Sequence, residues 1–458
     1  MLKGKRAKVL PETGHGENSV IDIFRLTLTI CLGLTTILGG YFTYYVLSAY
    51  ETRAAQESFR SVATHMELYS NSSFHAKVTA MNTLQTFLAT LCPRAENWPY
   101  CVANVDDYNE LAASLAHMAT ITTVDHEVKV YPGEIPNFIN FVVDFYNSSG
   151  YPDIAAKASN GIYVMGKNGT EYVTESSEGA YSLLAPVIQV GYPRNNTIVM
   201  LNVYSGAQRI DVVDDILDCV VKYDGINSTI TRKGIVRNCM KSSGIIYLAE
   251  DEPNRPATVL LAPMLIPINA SYENALSEEK RGDSVIIHLR DETLLHVGST
   301  SVMFHWDKAL TGSVFPTTTG LRVVLSDPNS IHTFTFDKGI AKAVNDNDKH
   351  NYHYRHTSVK FLVSCVRNTD FRFRIKIYLD DTYESVHRTR APIYGCIITV
   401  LVIVVSALQF LAYDYHVTKR HSSQDKAKKK YVRYISHGER NPPPPSLPHK
   451  PISITCTL

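Results

Sequence analysis

The residues that could do chemistry in this sequence are few, and their spacing does not form a catalytic site. The densest cluster of metal-ligating side chains is His350, His353 and His356. On a strand His353 would point away from the other two, and on a helix His356 leaves the face that the other two share. A solvated loop therefore fits this segment better than a zinc site. Phosphate-binding glycine loops and the kinase, cyclase and hydrolase signatures are also missing from the sequence. We predict no enzymatic activity, no metal and no cofactor.

The cysteines indicate an oxidising compartment. Five of them, Cys92, Cys101, Cys219, Cys239 and Cys365, lie between two long apolar segments. The close pairs 92/101 and 219/239 predict two disulfide bonds that close short loops. Cys365 is left over, and is either buried and free or bridges two chains. Five cysteines are too few for a disulfide scaffold, so a packed core must supply most of the stability.

Glycosylation sequons indicate the same compartment. Asn-x-Ser/Thr is modified only in the secretory lumen, and six such sites lie between the two apolar segments while neither tail has one. The predicted acceptors are Asn71, Asn147, Asn168, Asn195, Asn227 and Asn269. Their distribution predicts that the region between the apolar segments is extracellular.

The two apolar segments, residues 26–49 and 391–413, are predicted transmembrane helices. Each has more than twenty residues without a charged side chain, and a hydrocarbon core of about 30 Å needs about twenty. The alternative for the first segment is a cleaved signal peptide, whose apolar core has about 7 to 15 residues. An uncleaved signal anchor is favoured because the segment is longer, follows a polar tail and lacks a small-x-small cleavage site.

Charge sets the predicted orientation. Basic residues precede the first segment and follow the second, which predicts that the tails 1–25 and 414–458 are both cytosolic and that the protein lies in the plasma membrane. They are Lys3, Lys5, Arg6, Lys8 and Arg25 on one side and Lys419, Arg420, Lys426, Lys428, Lys429, Lys430 and Arg433 on the other. The net charge of +1 implies no nucleic-acid partner. Gln409 is the most polar side chain in the second segment, which argues against an ion channel.

A stalk helix is predicted over residues 50–91. Apolar side chains recur there at three- and four-residue intervals: Phe59, Val62, Met66 and Tyr69, then Met81, Leu84, Leu88 and Leu91. The pattern fits one long helix, or two helices broken near Ser70–Ser73. Its apolar stripe either packs against the same domain or forms the seam of a homodimer.

Residues 92–300 are predicted to form a membrane-distal mixed α/β domain around the stretch 183–206. Two runs rich in Val, Ile, Leu and Tyr flank a turn-prone segment at 191–195, which predicts a β-hairpin. A helix is predicted from Arg209 to Tyr223. Further helices are predicted at 108–119 and 135–146, and further strands at 127–131, 245–248, 259–265 and 285–289.

Residues 301–388 are predicted to form a second, membrane-proximal sheet domain. Strands are predicted at 321–325, 333–336 and 371–377. The last of these alternates aromatic or aliphatic residues with Arg and Lys, so its apolar face should be buried and its basic face wet.

The C-terminal tail carries two short features. Residues 426–430 form a basic run that either attracts anionic lipid, at roughly 1 kcal/mol per cation, or serves only as the topology signal. Pro442–Pro445, with Pro448 and Pro451, predicts polyproline II, which is either an SH3 or WW ligand or a stiff end.

This layout resembles the CHASE sensor domains, which include those of plant cytokinin receptors. Ala185-Pro186-Val187-Ile188 is similar to the start of the family's central strand. Residues 260–264 and 302–310 resemble its later strand and the segment that leads into its proximal subdomain. Asn195, Asn202, Ser205 and Arg209 fall on its polar positions, although Asn202 stands where the family has Asp. Gly191-Tyr192 replaces the acidic residue that contacts adenine in cytokinin receptors.

The resemblance implies an α+β fold with two transmembrane helices flanking an ectodomain made of a long helix and two PAS-like mixed sheet subdomains. It further implies a receptor or co-receptor that senses a small extracellular ligand other than a cytokinin and signals through a separate partner. The expected ligand-binding residues are Val187, Gln189, Tyr192, Leu201, Val203, Tyr247, Leu261 and Met264. Two alternatives are an adhesion or structural glycoprotein with a filled pocket and a two-span channel or transporter subunit.

Overall fold

The computed structural model describes residues 15–166, 169–173, 184–191, 198–205, 207–226, 230–247, 255–276, 284–328, 330–344, 359–364, 372–379, 383 and 389–437. The chain forms two compact units. The first comprises residues 1–52 and 389–458, and the second comprises residues 53–388.

The protein is a mixed α+β protein with a long N-terminal helix and two apolar helical segments. The helices are α1 (His15–Leu91), α2 (Val105–Ala119), α3 (Ile135–Ser148), α4 (Pro152–Ala158), α5 (Ala207–Val221), α6 (Arg232–Asn238), α7 (Ala270–Ala275), α8 (Trp306–Thr311) and α9 (Ala391–His437). Short 3₁₀ turns occupy Ala95–Asn97, Pro132–Glu134 and Val203–Ser205.

Fourteen strands lie in the described residues. They are β1 (Thr123–Val128), β2 (Tyr163–Gly166), β3 (Gly169–Tyr172), β4 (Val187–Gly191), β5 (Lys241–Ser242), β6 (Ile246–Tyr247), β7 (Pro256–Ile268), β8 (Ile286–His288), β9 (Thr293–His305), β10 (Leu321–Ser326), β11 (Ile331–Asp337), β12 (Ile340–Val344), β13 (Val359–Ser364) and β14 (Arg372–Leu379).

The first unit pairs the N-terminal part of α1 with α9, and both are long and apolar enough to cross a membrane. Small residues allow close packing: a Cβ on Gly395 would lie 2.4 Å from Leu47 Cδ1. The hydroxyls of Thr43 and Thr399 are 3.2 Å apart. At the other end of the pair, Arg25 forms a 2.9 Å salt bridge with Asp414. The two helices are therefore held together by backbone proximity and a few polar contacts.

In the second unit, α1 continues without a break through Ser70–Ser73, so the single-helix alternative is confirmed. The side chains of Phe59, Met66, Leu84 and Leu88 are at most 2 % exposed and belong to the unit's core. The apolar stripe thus packs within its own unit. Pairing of two copies along the stripe stays a prediction.

The second unit contains two main antiparallel sheets. The first sheet has the order β4-β1-β9-β7-β5, with β6 also paired to β7 and β8 to β9. The second sheet has the order β12-β11-β10-β14-β13, and β2 with β3 forms a separate hairpin. The boundary predicted at Ser301 falls inside β9, which belongs to the first sheet, and the second sheet begins at Leu321.

The predicted hairpin at 183–206 forms only in part. Its first run is the edge strand β4, but residues 198–205 make isolated bridges and a 3₁₀ turn instead of a second strand. The chain reverses at Met200, whose φ is +68°. Asn202 Oδ1 then accepts hydrogen bonds from Ala185 N (2.8 Å) and Tyr204 N (3.3 Å). Backbone bonds still join the two runs, from Val187 N to Leu201 O at 2.9 Å and from Val203 N to Ala185 O at 3.0 Å, so the predicted pairing is limited to a short bridge and residues 198–205 form no regular second strand.

An aromatic cluster joins α1 to both sheets. Trp306 of α8 lies 4.9 Å from Phe373 of β14 and 5.3 Å from Phe304 of β9, measured between ring centroids. Phe74 of α1 contacts all three rings at 5.5 to 5.8 Å. The Trp306 indole nitrogen donates to Thr258 Oγ1 at 2.8 Å, so the one polar atom of the cluster is satisfied.

Candidate binding site

The two faces of the first sheet differ in composition. Directly paired residues in a sheet share a face. His126 pairs with Thr300 and with Gln189, and these side chains lie on the face covered by α1 and α2, which we call the helix face. α2 approaches this face so closely that a Cβ on Gly191 would lie 2.3 Å from Ala112 Cβ.

The opposite face carries a row of buried polar residues, which we call the polar strip. Its members, none more than 7 % exposed, are Asp125, Glu127, Lys129, His296, Ser299 and Ser301. Asp125 pairs with Ser301, and Glu127 pairs with Ser299. The Ser301 hydroxyl donates to Asp125 Oδ2 at 3.2 Å, and the Ser299 hydroxyl donates to Glu127 Oε2. Serines on β9 therefore position the carboxylates of β1.

Lys129 extends the strip beyond the end of β1. Its backbone N–H donates to Val297 O at 2.9 Å, which continues the ladder by one residue. Its Nζ lies 5.1 Å from the centre of the Tyr131 ring, within the range of a cation–π contact. The Tyr131 hydroxyl in turn lies 2.6 Å from Ser284 Oγ.

His296 joins the strip because the ladder between β7 and β9 shifts register between Met264 and Leu265. This irregularity places an even-numbered residue on the face of Ser299 and Ser301. Burial and, to a smaller extent, the charge on Lys129 lower the pKa of His296 to about 3, against the opposing effect of a backbone hydrogen bond with Gly298. His296 is therefore neutral at physiological pH. Its Nδ1 is buried without a hydrogen-bond partner in the structure.

Gly298 allows β9 to approach β1 at this point. Its φ is +154°, and a Cβ there would lie 2.2 Å from Glu127 O. A side chain at this position would therefore push the strands apart beside the Glu127 carboxylate.

The helix face holds a buried titratable residue, His126. Its pKa is lowered to about 3, chiefly by burial and against a weaker opposing interaction with Gln189. The Gln189 amide is engaged with Ala103, accepting from its N–H at 3.0 Å and donating to its carbonyl at 2.8 Å. Trp98 packs edge-on against the His126 ring at 5.5 Å. His126 is thus a neutral residue of the core.

The structure distributes the predicted ligand-binding residues over several places. By register, Val187 and Leu261 lie on the face of the polar strip, whereas Gln189 and Met264 lie on the helix face. All four are at most 2 % exposed. They therefore lie on two faces of the first sheet, and ligand binding by these residues stays a prediction.

The remaining predicted ligand-binding residues lie apart from these four. Leu201 and Val203 are buried in the irregular segment beside β4. Tyr247 is 52 % exposed, and its hydroxyl lies 2.8 Å from Nδ1 of His332 on the second sheet. Tyr192 lies outside the described residues.

Each unit contains a cavity among its described residues. One, beside Gln189, has a volume of about 10 Å³ and is lined by Tyr108, Asn109 and Tyr146 among others. This volume suits a water molecule, whereas ligand pockets measure about 300 to 1,000 Å³. The other, of about 320 Å³, lies between α1 and α9 in the first unit and is mostly apolar.

Sequence reasoning missed the polar strip. The residues 123–131 alternate polar and apolar side chains, which is typical of a strand with one solvated face. Only the observed burial of both faces shows that the charges are enclosed. The available signal for this strip was the placement of Asp125, Glu127 and Lys129 at alternate positions of one strand.

The predicted disulfide pairs lie at disulfide distance. Cα–Cα distances are 6.0 Å for Cys92–Cys101 and 5.4 Å for Cys219–Cys239. Cys365 lies outside the described residues, as do the three histidines 350, 353 and 356.

Three predicted glycosylation sites lie in described residues. Asn147 and Asn269 are exposed, and Asn71 on α1 is half-buried. Asn269 Oδ1 also caps α7 by accepting from Tyr272 N at 2.7 Å. Asn168, Asn195 and Asn227 fall outside the described residues, and glycosylation of all six stays a prediction.

No model of a known protein family matches the chain, and no curated protein matches it.

Proposed function

We propose that this protein is a membrane-anchored, CHASE-like receptor or co-receptor that senses a small extracellular ligand and signals through a separate partner. The observation that carries the proposal is the polar strip, in which two carboxylates and one lysine are buried within the first sheet. Even a paired buried charge often stabilises a fold no more than an apolar side chain of similar size, so a purely structural core has little reason to contain several. Groups that reduce stability in this way are common where a site must bind.

The architecture supports the same proposal. We take the two antiparallel sheets as a distal and a proximal PAS-like subdomain, and the two apolar helices as spans that enter and leave the membrane. In this arrangement the second unit is extracellular and both tails are cytosolic. Ligand binding would change the relative position of the spans, and a membrane or cytosolic partner would supply the output.

A ligand screen on the full-length protein in lipid nanodiscs tests the proposal. A compound that binds only the folded state at 100 times its Kd stabilises it by about 2.7 kcal/mol, which raises the melting temperature. We expect at least one extracellular metabolite to produce such a shift. The Arg374→Gln variant, changed on the exposed face of the second sheet, should respond like the wild type. A broad metabolite library that shifts neither protein would contradict the proposal.

A second candidate, an adhesion or structural glycoprotein on the same scaffold, is favoured by the small size of the cavity beside Gln189, about 10 Å³. In that case the interior serves only to hold the fold. Cell aggregation that depends on the exposed surface, together with no ligand-induced stabilisation, would favour this candidate over the receptor.

A further inference from the structure

We propose that the cavity between α1 and α9 binds one anionic phospholipid, with an acyl chain in the cavity and the phosphate beside Arg25. This inference rests on the part of the proposed function that makes the two helices membrane spans with cytosolic tails. It adds a lipid site in the first unit to the ligand site proposed in the second.

The cavity exists because the two helices are close at two levels and apart between them. At one level a Cβ on Gly40 would lie 3.3 Å from Cys396 Sγ. At the other level Arg25 forms its salt bridge with Asp414. Between them a Cβ on Gly33 would have no atom within 4 Å. The space left there measures about 320 Å³, which falls in the range of ligand pockets, about 300 to 1,000 Å³.

The wall of the cavity on α1 offers carbon atoms to an occupant. Leu28, Leu32 and Thr36 line it at four-residue intervals and are half-buried. The hydroxyls of Thr29 and Thr36 donate to backbone carbonyls one turn earlier, at 2.8 and 2.7 Å. The polar atoms of these two threonines are therefore bonded within the helix, and the wall suits an apolar group.

The cavity opens to the side of the helix pair. Leu408 and Leu411 of α9 line it although they are 60 % and 55 % exposed, and Phe24 of α1 is 64 % exposed. In a bilayer such exposed side chains contact lipid tails, which are as apolar as leucine. An acyl chain can therefore enter the cavity directly from the surrounding lipid.

The end of the cavity beside Arg25 suits an anionic headgroup. One terminal nitrogen of Arg25 lies 2.9 Å from both Thr418 Oγ1 and Asp414 Oδ2, and these contacts hold the guanidinium while its side chain stays 41 % exposed. A guanidinium matches the geometry of a phosphate. Exposed Lys419 and Arg420 follow on α9. Basic pockets between membrane helices at the cytosolic surface attract anionic headgroups, so charge favours an anionic phospholipid over a zwitterionic one.

Photolabelling of the full-length protein in nanodiscs tests the site. The probes are phosphatidylserine and phosphatidylcholine, each with a diazirine in one acyl chain, and labelled residues are identified by mass spectrometry. We expect phosphatidylserine to label the cavity residues about 5-fold more than phosphatidylcholine does, the equivalent of roughly 1 kcal/mol for one cation. Equal labelling by the two lipids would overturn the inference.

Filling the cavity tests where the acyl chain lies. Gly33→Leu places a side chain in the open space and should abolish the preferential labelling of the cavity residues by phosphatidylserine. Cys31→Leu, at an exposed position of the same helix, is the matched control and should be labelled like the wild type. Unchanged labelling of Gly33→Leu would contradict the site. Should Gly33→Leu not fold, Ala407→Leu fills the same cavity from α9.

A charge-neutral double variant tests the headgroup contact. Arg25→Gln with Asp414→Asn removes both charges of the salt bridge and leaves the net charge of the protein unchanged. Labelling by phosphatidylserine should fall to the level of phosphatidylcholine. Lys426→Gln is the control, because Lys426 lies about 18 Å beyond Asp414 along α9, farther than the Debye length of about 8 Å. A preference that survives in the double variant would mean that the general charge of the tail causes it.

The outcomes separate this inference from the proposed function. If both lipids label the outward-facing residues of the two helices without a preference at the cavity, the spans stand and the lipid inference is wrong. If neither lipid labels either helix, the membrane spans and the lipid inference fail together. Label that is absent from the cavity residues alone would show that another helix covers the cavity, and would also overturn the inference.

Discussion

The two sheets of the second unit use alternating sequence in opposite ways. In β14 of the second sheet, Phe373, Ile375 and Ile377 are fully buried while Arg374 is exposed. In β1 of the first sheet, both the apolar and the charged residues are buried. The second sheet follows the usual pattern of an antiparallel sheet with one wet face. The first sheet has cover on both faces, and its charges are enclosed with the core.

This difference bears on where the proposed function would be located. The second sheet keeps its charges in water, where they affect stability little. The first sheet accepts the cost of desolvating Asp125 and Glu127, and hydrogen bonds from serine hydroxyls on β9 offset part of this cost. Under the proposed function, the comparison therefore favours the first sheet over the second as the binding site.

The largest expected effect tests whether the two sheets share one core. Trp306→Ala removes the ring that contacts both Phe304 and Phe373. We expect a loss of about 3 to 5 kcal/mol in the free energy of unfolding, because a large buried side chain leaves a cavity. Phe315→Ala, at a ring that is 49 % exposed, should cost far less. Chemical denaturation would measure both, and equal losses would contradict a shared core.

Acid should weaken the first sheet through His126 and His296. Both have folded-state pKa values lowered from 6.5 to about 3, so they contribute stability above pH 6.5 that is lost as pH falls. Between pH 7.5 and pH 5, protonation of the unfolded chain should lower the free energy of unfolding by about 2 kcal/mol per histidine. Each pH unit below the unfolded pKa contributes about 1.4 kcal/mol of this loss. His126→Gln should remove its share of the change between pH 7.5 and pH 5. A free energy of unfolding that stays flat over this range would refute the prediction.

The close approach of β1 and β9 beside the strip is the third target. Gly298→Ala should destabilise the protein by roughly 1 to 3 kcal/mol, because the added methyl would overlap Glu127 O and the residue has a positive φ. Gly133→Ala is the matched control, since nothing lies within 4 Å of its added Cβ. Thermal unfolding compares the two, and similar melting temperatures would show that the strands can separate without cost.

A smaller pH effect of opposite sign is expected at the exposed edge of the first sheet. His288 lies 3.0 Å from Asp224 and 3.1 Å from Glu273, and hydrogen bonds with these carboxylates raise its pKa above 6.5. The backbone N–H of His288 and its side chain lower the pKa of Asp224 below 3.8. The contact should therefore stabilise the folded protein at pH values between the pKa of Asp224 and the pKa of His288. This stabilisation should be lost as pH rises through the pKa of His288. Because the pair is exposed, we expect less than about 1 kcal/mol.

His288→Gln provides the measurement for this contact. The difference in melting temperature between wild type and variant should be larger at pH 6 than at pH 8.5. The same difference at both pH values would mean that the charge on His288 contributes nothing.

The smallest effect is expected on the wet face of the second sheet. Arg374→Gln should change the free energy of unfolding by no more than about 0.5 kcal/mol, as is usual for exposed positions. A loss comparable to that of Gly298→Ala would erase the difference between the sheets. Urea denaturation of both variants side by side makes the comparison.

Several elements could be predicted because their determinants are local. Helical spacing gave the long helix of residues 50–91, the helices α2 and α3, and the start of α5. Period-two alternation gave β14 with its buried and exposed faces, and short apolar runs gave β10 and β11. Apolar length gave two helices able to cross a membrane. Short spacing between cysteines gave two pairs at disulfide distance.

The failures arose where distant residues decide. The second strand of the predicted hairpin is reduced to a short bridge at Pro186 and Asn202, where the Asn202 side chain accepts from the N–H of Ala185. The predicted ligand residues separate because an irregular pairing at β4 puts Val187 and Gln189 on opposite faces. The side-chain bond of Asn202 and the irregular pairing of β4 cannot be read from hydrophobic periodicity.

The sequence by itself determined the α+β class, the two apolar helical segments and the alternation within most strands, since propensity and side-chain period act over a few neighbouring residues. Only the tertiary structure decided that Asp125, Glu127 and His296 meet on one buried face. The physical reason is that strand pairing, register shifts and cover on both faces are set by contacts between residues far apart in the chain. The sequence pattern of an alternating strand is the same whether water or protein covers its polar face.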